Sequence, residues 1–477
     1  MKRKGLLRNI SLALTAAMMC FSASALDLPI KKVKGQQFYV YEVRKGDSVF
    51  GVSKKLGITT EEIIKHNASA VNGIKKGMKL YFPVDEYTQP AEPVEEEVVV
   101  VEDTVEVVVN PAVAIILPFG LDNSEQTRQN KLALDFYRGF LIAADSLSNR
   151  PGQLDINVYD CGSNVDELKR LLSTNPDLGK SQVIVGPEDE AMLEVIEDFA
   201  TTTRTYVLNV LNVRDSAYIS NPYVLQANIP QKDMYALAIK AFMDLYEGYK
   251  PVILRNDKGR NEKEPFVEAL SEELASRGIE PIRINYDGTL LVADLDVMER
   301  HGAGKYVIIP SSGALSEFNK FAHVVKALRD KAADMPLTDD DAVLTEIALF
   351  GYPDWTAFRG DALELLQKLN ARVYSRFYDN FLGFDSRIIA DDFRFWYGTD
   401  MIESIPSQGL LGYDTANYII RNIRANDNTF NPDWKLYTPG IQSVFRFERH
   451  TDGGFYNNAL YIVEFLPEGR MTKRIVY

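Results

Sequence analysis

Cysteine and histidine are scarce in this chain of 477 residues, which contains two cysteines and four histidines. Two cysteines cannot build a disulfide framework, and Cys20 lies in an amino-terminal leader, so we expect Cys161 to be a lone buried thiol. The histidines are scattered without the spacing of metal ligands, and the sequence therefore predicts no metal site. They are His66, His301, His323 and His450.

Catalytic signatures are also missing. The sequence contains no G-x-S-x-G nucleophile elbow, no H-E-x-x-H zinc motif and no G-x-x-x-x-G-K-[ST] phosphate loop. Its net charge of −14 disfavours general binding to nucleic acids, which are themselves polyanions. These absences predict a protein that is not an enzyme, binds no cofactor and does not act on nucleic acid.

The first 25 residues have the layout of a secretory signal peptide, with basic residues, an apolar stretch over 10–21 and Ala-Ser-Ala at 23–25. The apolar stretch is too short to span a bilayer comfortably, so we expect no transmembrane segment after cleavage. Export predicts a periplasmic location. The alternative is a lipoprotein acylated at Cys20, although that signal prefers a small residue where this chain has Met19.

Residues 38–83 combine short apolar runs with helix signals. The pattern predicts a strand over 39–43 and a helix capped by Asp47 or Ser48, with apolar residues at spacings of three and four. A second helix opens at Thr59 within a capping box, and a closing strand follows. The predicted unit is a small strand-helix-helix-strand domain.

This order resembles the LysM domain, a binder of peptidoglycan and chitin glycans. The matching residues are Gly46-Asp47-Ser48-Val49, Asn67, Ile74, Gly77 and Pro83. The resemblance implies that N-acetylglucosamine lies in a groove between two loops, with Val49 and Ile74 packing on its methyl group. The implied glycan-binding residues are Gly46, Asp47, Ser48, Val49, Phe50, Asn67, Gly73 and Ile74. The alternative is a small α+β domain whose Gly-Asp-Ser is merely a helix cap.

Residues 85–111 differ sharply in composition, with nine acidic residues, no basic ones and three prolines. Such a segment is typical of an extended, self-repelling linker. We therefore expect it to separate two folding units.

From Ala112 onward the chain alternates strands with helices, which predicts parallel sheets covered by helices on both faces. About 365 residues of this pattern imply two lobes rather than one sheet. The order resembles the type I periplasmic solute-binding fold of leucine-binding proteins. The matching strings include Ile115-Ile116-Leu117-Pro118, Ile184-Val185-Gly186-Pro187, Gly351-Tyr352-Pro353-Asp354-Trp355 and Gly412-Tyr413-Asp414-Thr415-Ala416.

The family's connectivity implies that the chain crosses between the lobes three times. It implies a first lobe of about 112–230 and 378–428, and a second lobe of about 231–377 and 429–477. The tail strands around 444–447 and 460–463 would close the second lobe. The expected fold is thus an α+β LysM domain over 38–84 followed by an α/β, two-lobed body with parallel sheets.

Ligands of open α/β sheets sit beyond the carboxyl ends of the strands. The candidates in those loops are Glu188, Asp189, Asn209, Ser311, Ser312, Tyr352 and Asp354. Amino-acid-binding members of the family usually have small hydroxyl residues after the Gly-Pro, whereas this chain has Glu188, Asp189 and Glu190. Three acids would repel a ligand carboxylate. A cationic ligand and a cleft that binds no small molecule are the alternatives.

Trp355, Trp396 and Tyr397 could stack on a sugar, although positions in an aromatic core are the better interpretation. The sequence as a whole predicts a non-catalytic envelope protein that binds peptidoglycan. Its body would either contact a protein partner, as in the lipoprotein activators of penicillin-binding proteins, or close on a small solute, as a transport receptor does. Wall attachment favours the first use. A wall hydrolase is a third alternative, disfavoured by the missing catalytic motifs.

Overall fold

The structure is a computed structural model. It describes residues 28–33, 36–44, 47, 49–56, 58, 60–67, 70, 74–84, 110–147, 154–302, 304–334, 346–379, 383–435 and 438–477. The predicted signal peptide and nearly all of the predicted linker lie outside the described residues. The chain divides into two compact units, residues 1–106 and 107–477, called here the amino-terminal unit and the body.

The amino-terminal unit is a three-stranded antiparallel sheet with two short helices. Its strands are β1 (Ile30–Val33), β2 (Gln36–Glu42) and β3 (Lys79–Pro83), with β2 in the centre. Helices α1 (Val49–Leu56) and α2 (Thr60–His66) connect β2 to β3. The predicted strand-helix-helix-strand order is confirmed, and β1 is an additional strand that the sequence pattern did not indicate.

The body contains two seven-stranded sheets, which define its two lobes. The lobe-one sheet has the order β16-β17-β8-β7-β6-β4-β5, and β17, β8, β7, β6, β4 and β5 pair in parallel. These strands are β4 (Ala112–Leu117), β5 (Asp155–Asp160), β6 (Val183–Val185), β7 (Tyr206–Asn209), β8 (Val224–Gln226), β16 (Phe447–Arg449) and β17 (Phe455–Asn457). The first five strands have the doubly wound order 2-1-3-4-5, which places ligands at the carboxyl ends.

The lobe-two sheet repeats this arrangement with the order β10-β9-β11-β12-β13-β18-β19. Its first five strands are parallel, and β18 and β19 add to it in antiparallel fashion. These strands are β9 (Lys250–Asn256), β10 (Ile282–Tyr286), β11 (Lys305–Pro310), β12 (Glu346–Gly351), β13 (Arg372–Ser375), β18 (Leu460–Phe465) and β19 (Met471–Val476). A short antiparallel pair, β14 (Thr438–Pro439) and β15 (Val444–Phe445), forms a separate sheet.

Helices cover both faces of the sheets, as predicted. They are α3 (Arg128–Leu147), α4 (Val165–Thr174), α5 (Glu190–Thr203), α6 (Tyr235–Leu245), α7 (Glu264–Ser276), α8 (Val292–Arg300), α9 (Leu315–Asp334), α10 (Asp361–Lys368), α11 (Phe384–Tyr397) and α12 (Gln408–Ala425). Strand β4 is continuously apolar because it packs against a core cluster on each face of the sheet. Val113 and Ile115 belong to one core cluster, whereas Ala114 and Ile116 belong to another. Successive side chains of a strand point to opposite faces, and both faces are buried here.

The chain passes between the lobes three times, after β8, after β13 and before β18. The tail does not follow the predicted division, however. Strands β16 and β17 belong to lobe one, where β17 pairs in parallel with β8, and only β18 and β19 complete lobe two. The prediction for the segment around 444–447 was wrong because apolar alternation identifies a strand but not the sheet edge that it joins.

Helices α3 and α12 are packed with their backbones in direct contact. A Cβ atom on Gly139 would lie 1.8 Å from the carbonyl oxygen of Gly409, and one on Gly412 would lie 1.9 Å from that of Phe136. Only glycine permits so close an approach. The contact fixes α12 on lobe one. None of the helices in the described part of the chain is long and apolar enough to cross a bilayer.

Candidate functional site

In the amino-terminal unit, Asp47 fixes the loop before α1. Its carboxylate accepts hydrogen bonds from the Tyr41 hydroxyl and the Arg44 backbone N–H, both at 2.7 Å. Burial raises the pKa of Asp47, but these hydrogen bonds and nearby Lys55 lower it to a net value below the ordinary range. The Asp47 carboxylate thus holds the loop that the LysM resemblance places at the glycan.

Val49 and Ile74 pack in the same apolar cluster, Val49 inside it and Ile74 partly buried against it. Val49 is only 4% exposed, so it supports the fold of the unit as well as any groove. Phe50 lies on α1, and Gly46, Ser48 and Gly73 fall outside the described residues. Ile74 is therefore the described apolar candidate with surface available to a ligand.

Asn67 connects α2 to β3. Its side-chain amide donates to the carbonyls of Ile63 and Tyr81 at 3.0 and 3.1 Å, and its Oδ1 accepts the Tyr81 backbone N–H at 2.8 Å. Asn67 is also buried. Its side chain therefore bonds to the protein backbone, and its main chain is the part that can face a groove.

Basic side chains surround a depression of about 520 Å³ beside β2. They are Lys31, Arg44, Lys76 and Lys79. Such a surface attracts anionic polymers at low ionic strength and does so less when salt screens the charges.

In the body, the lobe-two candidates hydrogen-bond to the protein itself. The Ser312 hydroxyl donates to the Glu262 carboxylate at 2.8 Å, and the Gly313 backbone N–H donates to the same group at 2.9 Å. The Tyr352 hydroxyl donates to the Pro310 carbonyl at 2.6 Å. Burial raises the pKa of Glu262, but its hydrogen bonds and Lys263 outweigh that effect and lower it. The Glu262 carboxylate thus accepts hydrogen bonds that the Ser312 hydroxyl and the Gly313 N–H could otherwise donate to a ligand.

Asp354 and Ser311 are also committed to internal contacts. The Lys263 ammonium lies 2.7 Å from the Asp354 carboxylate and 5.3 Å from the centre of the Tyr352 ring. Ser311 is 2% exposed, and its backbone bonds to Leu254 and Lys263. The four lobe-two candidates therefore all have partners within the protein, and these contacts stabilise the fold.

On lobe one, Asp189 and Asn209 likewise have structural partners. Asp189 is the N-cap of α5, and its carboxylate accepts the Met192 N–H at 2.9 Å. The Asn209 amide donates to Gln226 at 2.7 Å, and its Oδ1 accepts the Asn212 N–H at 2.9 Å. Both side chains therefore stabilise the local structure of lobe one.

A cavity of about 490 Å³ lies between the two lobes. Its walls are mainly apolar and include Leu132, Phe136, Val210 and Phe377. Glu188, which is exposed, is the one residue of the seven sequence candidates that lines it. This interlobe cavity has the size and lining typical of small-molecule sites.

Arg376 supplies a positive charge to the interlobe cavity. Its guanidinium donates to the side-chain oxygen of Asn228 and to the carbonyl of Ile229, both in the segment that leaves lobe one. Burial lowers the pKa of Arg376 to about 10. Among the described residues, none of the carboxylates forms an ion pair with it. The cavity therefore contains a guanidinium that hydrogen-bonds to uncharged oxygens rather than to a carboxylate.

Sequence reasoning missed Arg376 because it did not identify the strand that precedes it. Arg376 directly follows β13, so it lies at the carboxyl end of a strand, where ligands of this architecture sit. Val373 and Tyr374, whose residue types favour strands, were the available signal.

The aromatic candidates separate into two kinds. Trp355 is fully buried among Phe318, Phe321 and Phe358, which confirms the core interpretation for this residue. Trp396 is 58% exposed, so the core interpretation is wrong for it. Its position at the end of α11 places it on the surface of lobe one.

A family model supports the assignment of the amino-terminal unit. Residues 41–83 match the LysM domain. None of the curated proteins matches the chain.

Several solved structures resemble the chain at low sequence identity. A putative branched-chain amino acid ABC transporter from Rhodospirillum rubrum is 14% identical, with 76% of this chain and 99% of that one covered and a TM-score of 0.49. An ABC transporter substrate-binding protein from Desulfitobacterium hafniense, in complex with Leu, is 16% identical, with 77% and 100% covered and a TM-score of 0.41. Full-length LpoA from Haemophilus influenzae is 12% identical, with 77% and 59% covered and a TM-score of 0.44.

All three TM-scores are below 0.5. The fold of the body is therefore defined by its own two sheets. Both sheets have the 2-1-3-4-5 order, and the chain crosses between them three times. The chain therefore carries a LysM domain followed by a two-lobed α/β body with the architecture of the type I periplasmic binding proteins.

Proposed function

We propose that this protein is a non-catalytic envelope protein that binds N-acetylglucosamine-containing peptidoglycan glycan through its LysM domain. The LysM match over residues 41–83 is the observation that carries the proposal. The apolar cluster that holds Val49 and Ile74, and the basic side chains beside β2, support it. The predicted signal peptide supports a periplasmic, peptidoglycan-associated location.

We expect Ile74→Ala to weaken glycan binding by the LysM domain about ten-fold, because it removes roughly two methylene groups of accessible apolar contact at about 0.8 kcal/mol each. The measurement is the dissociation constant for purified peptidoglycan, obtained by pelleting a fragment of residues 26–106. Using this fragment excludes any contribution from the body.

Met78→Ala is the matched control, because Met78 is also partly buried against the same cluster. Circular dichroism verifies that both variants remain folded. If the unaltered fragment stays in the supernatant, the LysM domain is not the glycan-binding element. If Ile74→Ala and Met78→Ala bind equally, the groove lies elsewhere on the domain.

For the body, we infer a ligand-sensing or protein-binding role, and Arg376 favours a small organic anion in the interlobe cavity. A partly buried cation without a counter-charge is unfavourable unless a ligand or water supplies the missing interactions. An anion with an apolar group would neutralise Arg376 and cover the apolar walls. Glu188 is exposed, so solvent and salt screen its charge. A transport receptor would use the same cavity, but wall attachment favours sensing or scaffolding.

We expect phenylacetate to stabilise the mature chain and phenylacetamide to leave it unchanged, because the two differ in the charge that Arg376 would bind. At about a hundred times its dissociation constant, a ligand adds roughly 2.7 kcal/mol to the free energy of unfolding. Arg376→Met should abolish the effect. The measurement is a thermal-shift series over branched and aromatic carboxylates, each beside its amide.

Arg300→Met, an exposed arginine of α8, controls for the general loss of positive charge. A shift that survives in Arg376→Met would place the anion elsewhere. If no compound in the series shifts the melting temperature of the unaltered protein, the small-anion role is overturned and a protein-binding scaffold is favoured. A pull-down from envelope extract would then test the scaffold role.

A further inference from the structure

Lobe one contains a second cavity, of about 430 Å³, that shares no lining residue with the interlobe cavity. Its lining comes from α3, α11, α12 and the beginning of β5, the edge strand of the sheet. Buried Ile142, Ile420 and Ile423 form an apolar floor. Its volume lies within the range of small-molecule sites.

Three polar side chains with planar head groups surround this floor. Asp145, Arg424 and Asn428 line the cavity and are exposed at their positions, so they form its rim. Arg424 has no ion-pair partner among the described residues, and burial lowers the pKa of its guanidinium, with nearby Arg421 adding to the effect. The rim therefore offers the Asn428 amide and the Arg424 guanidinium to a ligand.

Trp396 and Tyr397 add an aromatic wall, in which contacts with Arg138 hold Tyr397 in position. The Tyr397 hydroxyl donates to the carbonyl of Arg138 at 3.1 Å, and the Arg138 guanidinium lies 5.0 Å from the centre of the Tyr397 ring. Trp396 is 58% exposed, with the Phe395 ring 5.4 Å away in an edge-to-face arrangement. The next residue, Gly398, ends α11 with φ +66°. A large aromatic surface is thus held at the mouth of the cavity.

The combination of floor, rim and aromatic wall restricts the class of ligand. A pure hydrocarbon would remove water from the Arg424 guanidinium without replacing the hydrogen bonds of that water, which is costly. A sugar has an apolar C–H face that can cover an aromatic ring, and a periphery of hydroxyl and amide groups. Guanidinium and amide side chains form hydrogen bonds with such hydroxyl and amide groups. The acetamido methyl of an N-acetylated sugar matches the isoleucine floor.

We propose that this cavity is a second carbohydrate-binding site, which takes an N-acetylated sugar ring stacked on Trp396 with Arg424 and Asn428 bonding its polar edge. The site is distinct from the LysM groove and goes beyond the function proposed above. Two sites on one chain bind a repeating polymer with an avidity that exceeds either affinity, provided that the linker allows both to engage.

The three tryptophans of the chain all lie in the body, at 355, 396 and 434, and Trp396 is the most exposed. Tryptophan fluorescence of the full mature chain therefore reports on the body without interference from the LysM domain. We expect tetra-N-acetylchitotetraose to produce a saturable fluorescence change. Arg424→Ala, which retains Trp396, should weaken this binding at least ten-fold, because it removes hydrogen bonds from a charged donor.

Arg421→Ala is the matched control, because Arg421 is an exposed arginine of the same helix that does not line the cavity. Its titration should coincide with that of the unaltered protein, and Trp396→Ala should lose the response. Equal affinities of Arg424→Ala and Arg421→Ala, or no saturable change in the unaltered protein, would overturn the proposal. A response to decanoate but not to the sugar would instead assign a hydrocarbon ligand. Failure of the LysM proposal is read separately, in the pelleting of residues 26–106.

Discussion

Asp414→Ala is expected to destabilise the body by more than about 3 kcal/mol, since three backbone donors would lose their buried acceptor at roughly 1–3 kcal/mol each. Asp414 is fully buried on α12, and its carboxylate accepts the N–H groups of Ile441, Gln442 and Ser443 at 2.6, 2.9 and 2.7 Å. Urea-induced unfolding, followed by tryptophan fluorescence, measures the change because all three tryptophans belong to the body.

The effect should be large because the segment held by Asp414 connects both lobes. The Gln442 carbonyl accepts the Tyr378 N–H at 2.9 Å, and the Ser443 carbonyl accepts the Tyr461 hydroxyl of lobe two at 2.8 Å. Burial raises the pKa of Asp414 to about 6, although its three backbone hydrogen bonds lower it. The carboxylate is therefore ionised near pH 8, where the experiment belongs.

Asp391→Ala is the control for Asp414→Ala. Asp391 is 72% exposed and pairs with Arg394 at the surface, so its loss should change the free energy of unfolding by less than about 0.5 kcal/mol. Equal urea midpoints for the two variants would contradict the role given to Asp414.

Glu197→Gln is expected to stabilise the protein increasingly as the pH rises from 6.5 to 8.5. Glu197 is 5% exposed on α5, and burial together with the neighbouring Asp215 raises its pKa to about 9. The unfolded chain releases this proton near the ordinary value of 4.5, so between 4.5 and 9 folding takes up a proton. The contribution of Glu197 to the free energy of unfolding is complete below pH 4.5. It is lost as the pH rises through 9, by about 1.4 kcal/mol per pH unit between these two values.

Glutamine cannot ionise and can donate an N–H to the Asp215 carboxylate, so the variant lacks this dependence. Thermal unfolding at several pH values measures the difference, and the chosen range lies above the pKa of Asp414. Glu194→Gln is the control, because Glu194 is exposed on the same helix. A difference between Glu197→Gln and the unaltered protein that stays constant with pH would show that Glu197 is already ionised in the folded protein.

The interlobe cavity takes its positive charge from a residue that the sequence analysis did not predict. At the carboxyl edge of the lobe-two sheet, the Glu262 carboxylate accepts hydrogen bonds from the Ser312 hydroxyl and the Gly313 N–H. These donors are therefore already used within the protein. The charge available to a ligand comes instead from Arg376, which directly follows β13 at the same edge of the sheet.

The sequence by itself determined the local elements and the two-unit organisation. Apolar periodicity identified the strands and helices of the amino-terminal unit, because this pattern depends on residues within one or two turns of each other. Continuously apolar runs such as 113–117 identified buried parallel strands, since both of their faces are covered. The acidic composition of 85–111 indicated the division between the units.

The tertiary structure decided which side chains are available to a ligand. Asn228 and Arg376 are 148 residues apart, and Glu262 and Ser312 are 50 apart, so no local pattern reveals that they meet. The sheet that receives β16 and β17 is likewise fixed by a long-range pairing with β8. Trp355 and Trp396 are the same residue type, yet only the packing of α11 against lobe one leaves the second exposed. Binding chemistry depends on which polar and aromatic groups remain unused after folding, and that is settled by contacts between distant segments.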